Sequence, residues 1–440
     1  MTYSECIAWL YSRLPMYQNV GKEAVKKDLT NISLLCEGLG NPHKKSTFIH
    51  VAGTNGKGSV SHILSSIYQA AGFKTGLYTS PHYLDFRERI RVDGQMISEE
   101  NVVGFIEEHK ELILNVTPSF FEITVAMAFD YFAKQQVDLA IIETGLGGRL
   151  DSTNLIHPML SIITRIGLDH MDMLGSDLAS ISKEKAGIIK RNTPVLIGVE
   201  QRETKEVFRQ VAENQHAKLS YADHLNTFQG EQSRIVFDNG HDLDCIQGFF
   251  HVRGKEYAYK SDLVGTYQKE NIRTAFHALS MLPLAYRPSP EAIQKGLGQV
   301  GQSTGYMGRM QVFQRKPLIL LDAGHNADGI QALLDSLPSH SGRLHVLFGA
   351  SADKDIQGVL SLFPSDTCFT WTQARVVRAM DAERLKNEAL TLGYSGKAYP
   401  SAQEGFKAIK QMLSSEDILL VCGSVFLVAE VLKLKDISKE

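Results

Sequence analysis

A run of buried-strand character, Phe48-Ile-His-Val-Ala52, leads through Gly53-Thr-Asn-Gly-Lys57-Gly-Ser59 into a helical pattern from about Ser59 to Ala71. Few local patterns constrain a fold more. A strand that passes through a glycine-rich turn into a helix is the opening unit of a parallel α/β sheet. Glycines let backbone N–H groups turn inward around phosphate oxygens. The helix N-terminus adds its positive dipole end, and Lys57 adds a mobile cation. The fit to the general nucleotide loop is imperfect: Val51 stands where the first glycine would be, and Gly58 separates Lys57 from Ser59. An ordinary tight turn is the plain alternative. The strand–turn–lysine–helix context favours phosphate binding.

The rest of the chain extends this pattern. Ser4–Leu14 has helical spacing, and Lys74–Thr79 reads as a second strand. Glu99–Leu114 and Phe120–Lys134 read as helices. Val137–Glu143 and Leu160–Arg165 are short apolar runs typical of strands covered on both faces. Ser176–Lys190 is expected to be a helix capped by Ser176, followed by a strand at Pro194–Val199. Between Lys218 and Lys260, runs such as Arg234–Phe237 and Tyr257–Tyr259 predict hairpins, with Asn239-Gly240 as a turn signal. Helices resume at Gln268–Leu282 and Pro290–Leu297. The stretch Gly298–Gly308 holds four glycines, which places a linker near Gly301. Beyond it, strands at Leu318–Asp322, Leu344–Phe348, Cys368–Thr372 and Ile418–Val421 alternate with helices. The expected fold is α/β in two domains. Residues 1–300 carry a mainly parallel sheet with a small antiparallel segment, and residues 301–440 a smaller Rossmann-like unit.

Composition excludes several classes. With 440 residues, 43% apolar and 22% charged, the chain is neither disordered nor a small disulfide scaffold. Its 46 basic and 49 acidic residues give a net charge of −3 without a basic block, so neither a nucleic-acid nor a membrane partner is expected. The five cysteines lack zinc-ligand or redox spacing. The N-terminus has no signal-peptide pattern, and the most apolar stretch, Ile418–Leu432, is too short and too polar to span a bilayer. These features predict a cytoplasmic protein.

In open parallel sheets, ligands bind beyond the carboxyl ends of the strands. Several unusual polar residues fall there. Thr79-Ser-Pro-His82 ends one strand. Glu143 ends another and leads into Thr144-Gly-Leu-Gly-Gly-Arg149-Leu-Asp151-Ser-Thr-Asn154. Asp169-His170 follows a third. A hydroxyl, a carboxylate and an imidazole facing nucleotide phosphates suit Mg²⁺. Each has a plain alternative: Ser80 capping a turn, Glu143 paired with Arg149, His170 satisfied in a loop. The second domain repeats the placement with Asp322-Ala-Gly-His325-Asn326, Asp353-Lys354-Asp355 and Gly423-Ser424. The Asp353–Asp355 run could equally be a solvated helix start.

Taken in order, His50–Ser59, Thr79–His82 with Arg87–Ile90, Phe120–Glu122, Glu143–Asn154, Gly167–His170 with Leu174-Gly175, Glu184–Ile188, Gly308-Arg309, Leu321–Asn326 and Gly423-Ser424 resemble the folylpolyglutamate synthases and the bifunctional dihydrofolate synthase/folylpolyglutamate synthases. These belong to the Mur ligase superfamily. The resemblance spans nearly the whole chain. It implies ATP-driven addition of L-glutamate to a reduced folate, and to dihydropteroate, through an acyl phosphate. It further implies that Thr54, Asn55, Gly56, Lys57, Gly58 and Ser59 cradle ATP, with Asn271, Arg309 and Asp322 contacting the nucleotide. Ser80, Glu143 and His170 are implied Mg²⁺ ligands, with two ions expected. Lys185 matches a lysine that is carbamylated in this superfamily and ligates the second ion. Lys57, His170 and Lys185 are the implied catalytic residues. Pro81, His82, Arg149 and Asp151 are expected to face the pterin, and His325 and Ser424 the incoming glutamate. The expected partners are small molecules, and the expected state is a monomer.

Three other readings compete. One is dihydrofolate synthase activity alone. Another is a cell-wall Mur ligase, against which only 52 residues precede Gly53, too few for a further doubly wound domain. The third is a nucleotide-binding switch without ligase activity.

Overall fold

The computed structural model describes residues 1–13, 28–224, 227–228, 231–232, 235–237, 245–252 and 254–437. Two large sheets dominate. The first contains β1 (Phe48–Ala52), β2 (Thr75–Tyr78), β3 (Ile90–Val92), β4 (Gln95–Met96), β5 (Leu139–Glu143), β6 (Leu160–Ile163), β7 (Val195–Ile197) and β8 (Leu219–Tyr221). Their order is β4-β3-β2-β5-β1-β6-β7-β8. Strands β2, β5, β1, β6, β7 and β8 pair in parallel, and β3 and β4 add to the β2 edge antiparallel. Every residue of β1, β5 and β6 is buried, as both-face coverage demands. Ile49 and Val51 face the Lys57–Ala70 and Gln268–Met281 helices. Phe48 faces the Phe120–Gln135 helix on the other side.

A short β9–β10 pair (Thr227–Phe228, Glu231–Gln232) and an antiparallel sheet of β11 (Ile235–Phe237), β12 (Ile246–Val252) and β13 (Lys255–Ser261) follow. The hairpins expected from alternating residues are therefore present. Arg234, Asn239 and Gly240 lie outside the described residues. The second large sheet joins β14 (Gln311–Arg315), β15 (Leu318–Leu321), β16 (Leu344–Phe348), β17 (Cys368–Thr372), β18 (Gly396–Tyr399) and β19 (Ile418–Cys422) in the order β14-β15-β19-β16-β17-β18. It is parallel except for the β14 edge. Its two faces carry separate apolar cores, one around Phe348, Phe369 and Trp371 and one around Leu347, Phe406 and Val431. Among the described residues, no helix is long and apolar enough to cross a membrane.

Several local expectations change. Glu99–Leu114 is two helices, Glu99–Glu108 and Lys110–Val116, because His109 leaves helical geometry. The helix expected over Ser176–Lys190 is Leu178–Lys185 followed by a 3₁₀ turn at Ala186–Ile188. Its cap is Asp177, which accepts from Ser180 N at 2.7 Å, not Ser176. Gly301, read as linker, lies inside a short helix, Val300–Thr304, where its N–H donates to Asp262 at 2.7 Å. The glycines that free the backbone come just after it, with Gly305 and Gly308 at φ +67° and +70°. The boundary near residue 300 thus stands as our proposed division, with Gly305–Met310 as the connecting segment.

Candidate active site

The phosphate loop is shaped by contacts that exclude side chains. Gly53 has φ +145°, and a Cβ there would overlap Thr164 Oγ1. Gly56 has φ +93°, and a Cβ there would overlap Asn271 Oδ1. Thr54 N donates to Arg165 O (2.9 Å) and Thr54 Oγ1 to Gly167 O (3.1 Å). Thr164 Oγ1 donates to Asn55 O (2.7 Å), so the loop is tied to the end of β6. The helix that follows starts at Lys57 behind Gly56 and has no side-chain cap. Its first-turn N–H groups are left for an external anion. Lys57 Nζ donates to Gly53 O (3.0 Å) and Thr54 O (3.1 Å). Burial pulls its pKa down, opposed by the charges of Glu143 and Asp169.

Around this loop opens a cavity of about 650 Å³ between the two sheets. It is lined by the loop, Ser80, Pro81, Glu143, His170, Lys185, Asn271, Arg309, Asp322 and His325, among others. A second cavity of about 280 Å³, walled by Phe120, Phe121, Leu146 and Phe426, adjoins it. Ser80, Pro81, Gly145, Leu146, His170, His325 and Val425 border both, so the two spaces meet there. Asp151 and Ser424 line the second.

Buried titratable groups concentrate at this meeting point. Glu143 is pushed up to about 7 by burial, opposed by Lys57 and by the Ser80 N–H that donates to it at 3.2 Å. Lys185 is buried, donates to Gly53 O at 2.8 Å, and is lowered to about 7 by burial and by the neighbouring Lys57 charge. Burial lowers His170 to about 3 despite Asp169 beside it, so its imidazole is neutral. Asp169 reaches across the cleft: its Oδ2 meets His325 Nε2 at 3.2 Å and its Oδ1 pairs with Lys354. Burial raises the Asp169 pKa, but the hydrogen bond with His325 and the Lys354 charge hold it well below the usual range. Asp322 accepts from Tyr267 (2.8 Å), Met310 N (2.8 Å) and Gly324 N (2.7 Å), with Arg309 at 4.0 Å.

Two of the expected site residues, Arg149 and His82, lie outside both cavities, and two, Ser59 and Asn271, line the first while hydrogen-bonded to protein partners. Arg149 lines neither cavity: it is exposed and pairs with Glu184 at 2.9 Å, not with Glu143. That salt bridge follows from backbone packing, since a Cβ on Gly187 would overlap Arg149 Cα and Arg149 N donates to Glu184 O at 2.8 Å. His82 also lines neither; its Nδ1 accepts from Arg89 Nε at 2.8 Å and holds Arg89, which does line the second cavity and lies over the Phe120 ring. The Ser59 hydroxyl turns to Tyr306 at 2.7 Å, as the intervening Gly58 rotates it one position away from the usual place after the loop lysine. Asn271 gives its amide N–H to Gln268 at 2.8 Å and sets its carbonyl against Gly56.

Residues given no role from sequence join the surroundings: Asp169, Lys354 and Arg89 line the cavities, Asn326 and Tyr306 hydrogen-bond Asn55 and Ser59, and Gln268 bonds Tyr306. The Asp353–Asp355 run is neither wholly solvated nor wholly a site. Asp355 caps the Ile356–Leu360 helix, Asp353 pairs with Arg378, and Lys354 alone enters the cleft.

The chain matches the Mur ligase middle domain over residues 51–279 and the Mur ligase glutamate ligase domain over residues 308–425. It is 33% identical to the dihydrofolate synthase/folylpolyglutamate synthase of Bacillus subtilis, covering 98% of each chain. The enzyme of the same name from Escherichia coli is 32% identical, covering 97% of this chain and 96% of the relative. Among solved structures, Escherichia coli FolC in complex with DHPP and ADP superimposes with a TM-score of 0.85 at 29% identity, over 100% of this chain and 99% of that one. The bifunctional folylpolyglutamate synthase/dihydrofolate synthase with Mn, AMPPNP and L-glutamate bound has a TM-score of 0.82 at 27% identity, over 99% and 98%. With two domain matches in order around one cleft, and relatives of one name matched over nearly their full length, this chain belongs to the dihydrofolate synthase/folylpolyglutamate synthase family of ATP-dependent Mur ligases.

Proposed function

We propose that this chain joins the amino group of L-glutamate to the γ-carboxylate of a reduced folate, and to the carboxylate of dihydropteroate, at the expense of ATP. The observation that carries this reading is the meeting of two cavities at Ser80, Gly145, His170 and His325. One has a phosphate loop; the other has aromatic walls that suit a flat heterocycle. A carboxylate placed where they meet would face a terminal phosphate.

The chemistry needs positioning and charge neutralisation more than a protein nucleophile. A carboxylate oxygen attacks the γ-phosphorus and ADP leaves. The glutamate amine then attacks the acyl carbon, a proton is lost, and phosphate leaves as the amide forms. In this reading the N–H groups of the first helical turn and Lys57 hold the phosphates. Arg309 and Asp322 border the nucleotide, Pro81 and Asp151 border the pterin, and His325 and Ser424 the glutamate.

Ser80, Glu143 and His170 are the residues that would hold a divalent cation. A buried carboxylate and a neutral imidazole on one wall suit a cation. Among the described residues no group of three or more His, Cys, Asp or Glu side chains is placed to hold a metal ion by itself, so an ion that keeps waters and takes phosphate oxygens fits better than a caged one. Such an ion would neutralise phosphate charge. Lys185 fits carbamylation. Its amine, lowered to about 7, is substantially neutral near that pH. Its nitrogen would attack CO₂ with release of one proton, and the resulting anion would face Lys57 in place of a like charge.

The test is ADP release measured with ATP, L-glutamate and either dihydropteroate or tetrahydrofolate. Turnover is expected with both acceptors. Turnover with one alone would overturn the bifunctional reading, and ATP consumption that ignored both acceptors would overturn the ligase reading.

A further inference from the structure

We propose that Tyr306, on the segment connecting the two sheets, is a positioning residue for the nucleotide, acting through Gln268 and Ser59 on the first turn of the phosphate-loop helix. This rests on the nucleotide-binding reading of that loop.

Four side chains form one connected hydrogen-bond chain. Asn271 Nδ2 donates to Gln268 Oε1 at 2.8 Å, and Gln268 Nε2 donates to the Tyr306 hydroxyl oxygen at 2.8 Å. The Tyr306 hydroxyl is in turn hydrogen-bonded to Ser59 Oγ, 2.7 Å away. The chain begins and ends on the phosphate loop, since the Asn271 carbonyl packs against Gly56 and Ser59 is the third residue of the helix that follows. Both ends therefore bear on the backbone whose N–H groups would meet phosphate.

The middle of the chain lies on the connecting segment and is fixed there. The Tyr306 ring packs edge-on to His62 with centroids 5.1 Å apart, and His62 Nδ1 is hydrogen-bonded to Thr304 Oγ1 at 2.7 Å. Four residues further on, Met310 N donates to Asp322, which also accepts from Tyr267 beside Gln268. The connecting segment is thus pinned twice to the start of the Gln268–Met281 helix, once through Tyr306 and once through Asp322. A side chain that touches neither phosphate nor folate then sets how the first helical turn meets the nucleotide.

The test is a double-variant cycle on the full chain, reading ATP affinity by calorimetry. Tyr306→Phe keeps the ring against His62 and removes only the hydroxyl. It is expected to weaken ATP binding roughly fivefold, to leave dihydropteroate affinity unchanged, and to keep the thermal midpoint within about 4 °C. Ser59→Ala is expected to do the same, and Tyr306→Phe with Ser59→Ala to be no weaker than either alone. Unchanged ATP affinity in Tyr306→Phe, or single effects that multiply to roughly 25-fold in the double variant, would overturn the proposal. So would equal loss of ATP and dihydropteroate binding. Failure of the unsubstituted protein to bind ATP would instead overturn the nucleotide reading itself.

Discussion

Asn55 and Asn326 exchange two hydrogen bonds, each 3.2 Å, amide to amide across the cleft. One belongs to the phosphate loop. The other caps the Ala327–Leu334 helix of the second sheet, accepting from Gly329 N at 2.8 Å. Asn326→Asp would keep the cap but lose the donor to Asn55 and place an anion beside a phosphate site. We expect the KM for ATP to rise at least fivefold, by order of magnitude, with little change in thermal midpoint. Steady-state kinetics with varied ATP checks this, and an unchanged KM would count against the pair as a coupling between loop and second sheet.

Lys57 contributes to charge rather than to packing: its ammonium braces two loop carbonyls and borders the open cavity. Lys57→Ala is expected to reduce turnover roughly 100-fold or more while unfolding as the unsubstituted protein does, because the freed carbonyls can turn to water. Circular dichroism and ADP release on the same sample separate the two effects. Preserved activity would remove the phosphate assignment.

Periodicity and strand-end position made much of this site legible in the sequence, and the resemblance supplied the roles of Lys185 and Asn271. Gly53, Lys57, Glu143, His170 and His325 all sit where a parallel strand must end, and the fold brings them to one cleft. What stayed hidden depended on partners distant in sequence. Nothing local shows that Arg149 meets Glu184, since their approach is set by Gly187 packing on the Arg149 backbone. Nothing local shows that Lys354 reaches Asp169, 185 positions away. The local conformation at the proposed linker stayed hidden for a related reason: Gly301 is helical, with its N–H donated to Asp262, a contact no window of neighbouring residues contains.

Lys185 offers a chemical test. A lysine lowered to about 7 and buried against Gly53 O can present a neutral amine to CO₂. A carbamate carbon signal is expected by NMR in protein equilibrated with labelled bicarbonate, and it should vanish in Lys185→Ala. That variant should be inactive, and added bicarbonate should not restore it. Normal turnover in Lys185→Ala would rule out the carbamate role.

Asp85 links pH to the stability of the turn that carries Arg89. It caps Phe86–Arg89, pairs with Arg87 at 2.8 Å and accepts from Tyr3 at 2.8 Å. Burial would raise its pKa, but the Arg87 and Tyr3 hydrogen bonds lower it from 3.8 to about 2. A depressed carboxylate stabilises above its unfolded value and loses that contribution as pH falls through the folded one. Asp85→Asn should therefore cost about 1–2 kcal/mol at pH 7, allowing for its partial exposure. The difference should hold down to about pH 5 and shrink below about pH 4. Urea titrations across this range check it, and a difference that grew on acidification would be the wrong sign.

His50, Thr153 and Asp151 join the phosphate-loop strand to the wall of the second cavity. The Thr153 hydroxyl is 2.5 Å from Asp151 Oδ1, so its proton goes to the carboxylate. It must then accept from His50 Nε2, 2.8 Å away, which fixes the His50 tautomer. Burial lowers His50 to about 3, so the ring is neutral. Asp151 in turn accepts from Leu146 N at 2.8 Å and holds the loop from Gly145 to Asp151 against the cavity. Thr153→Val preserves shape but strands the His50 Nε2–H and takes one of three donors from Asp151, at a cost of about 1–3 kcal/mol in stability. The loop it releases borders the pterin side, not the phosphates. The KM for dihydropteroate should rise roughly fivefold while the KM for ATP stays within experimental error. Thr153→Ser, which restores the hydroxyl, should recover most of the loss. Parallel changes in both KM values would instead mark Thr153 as a general packing residue.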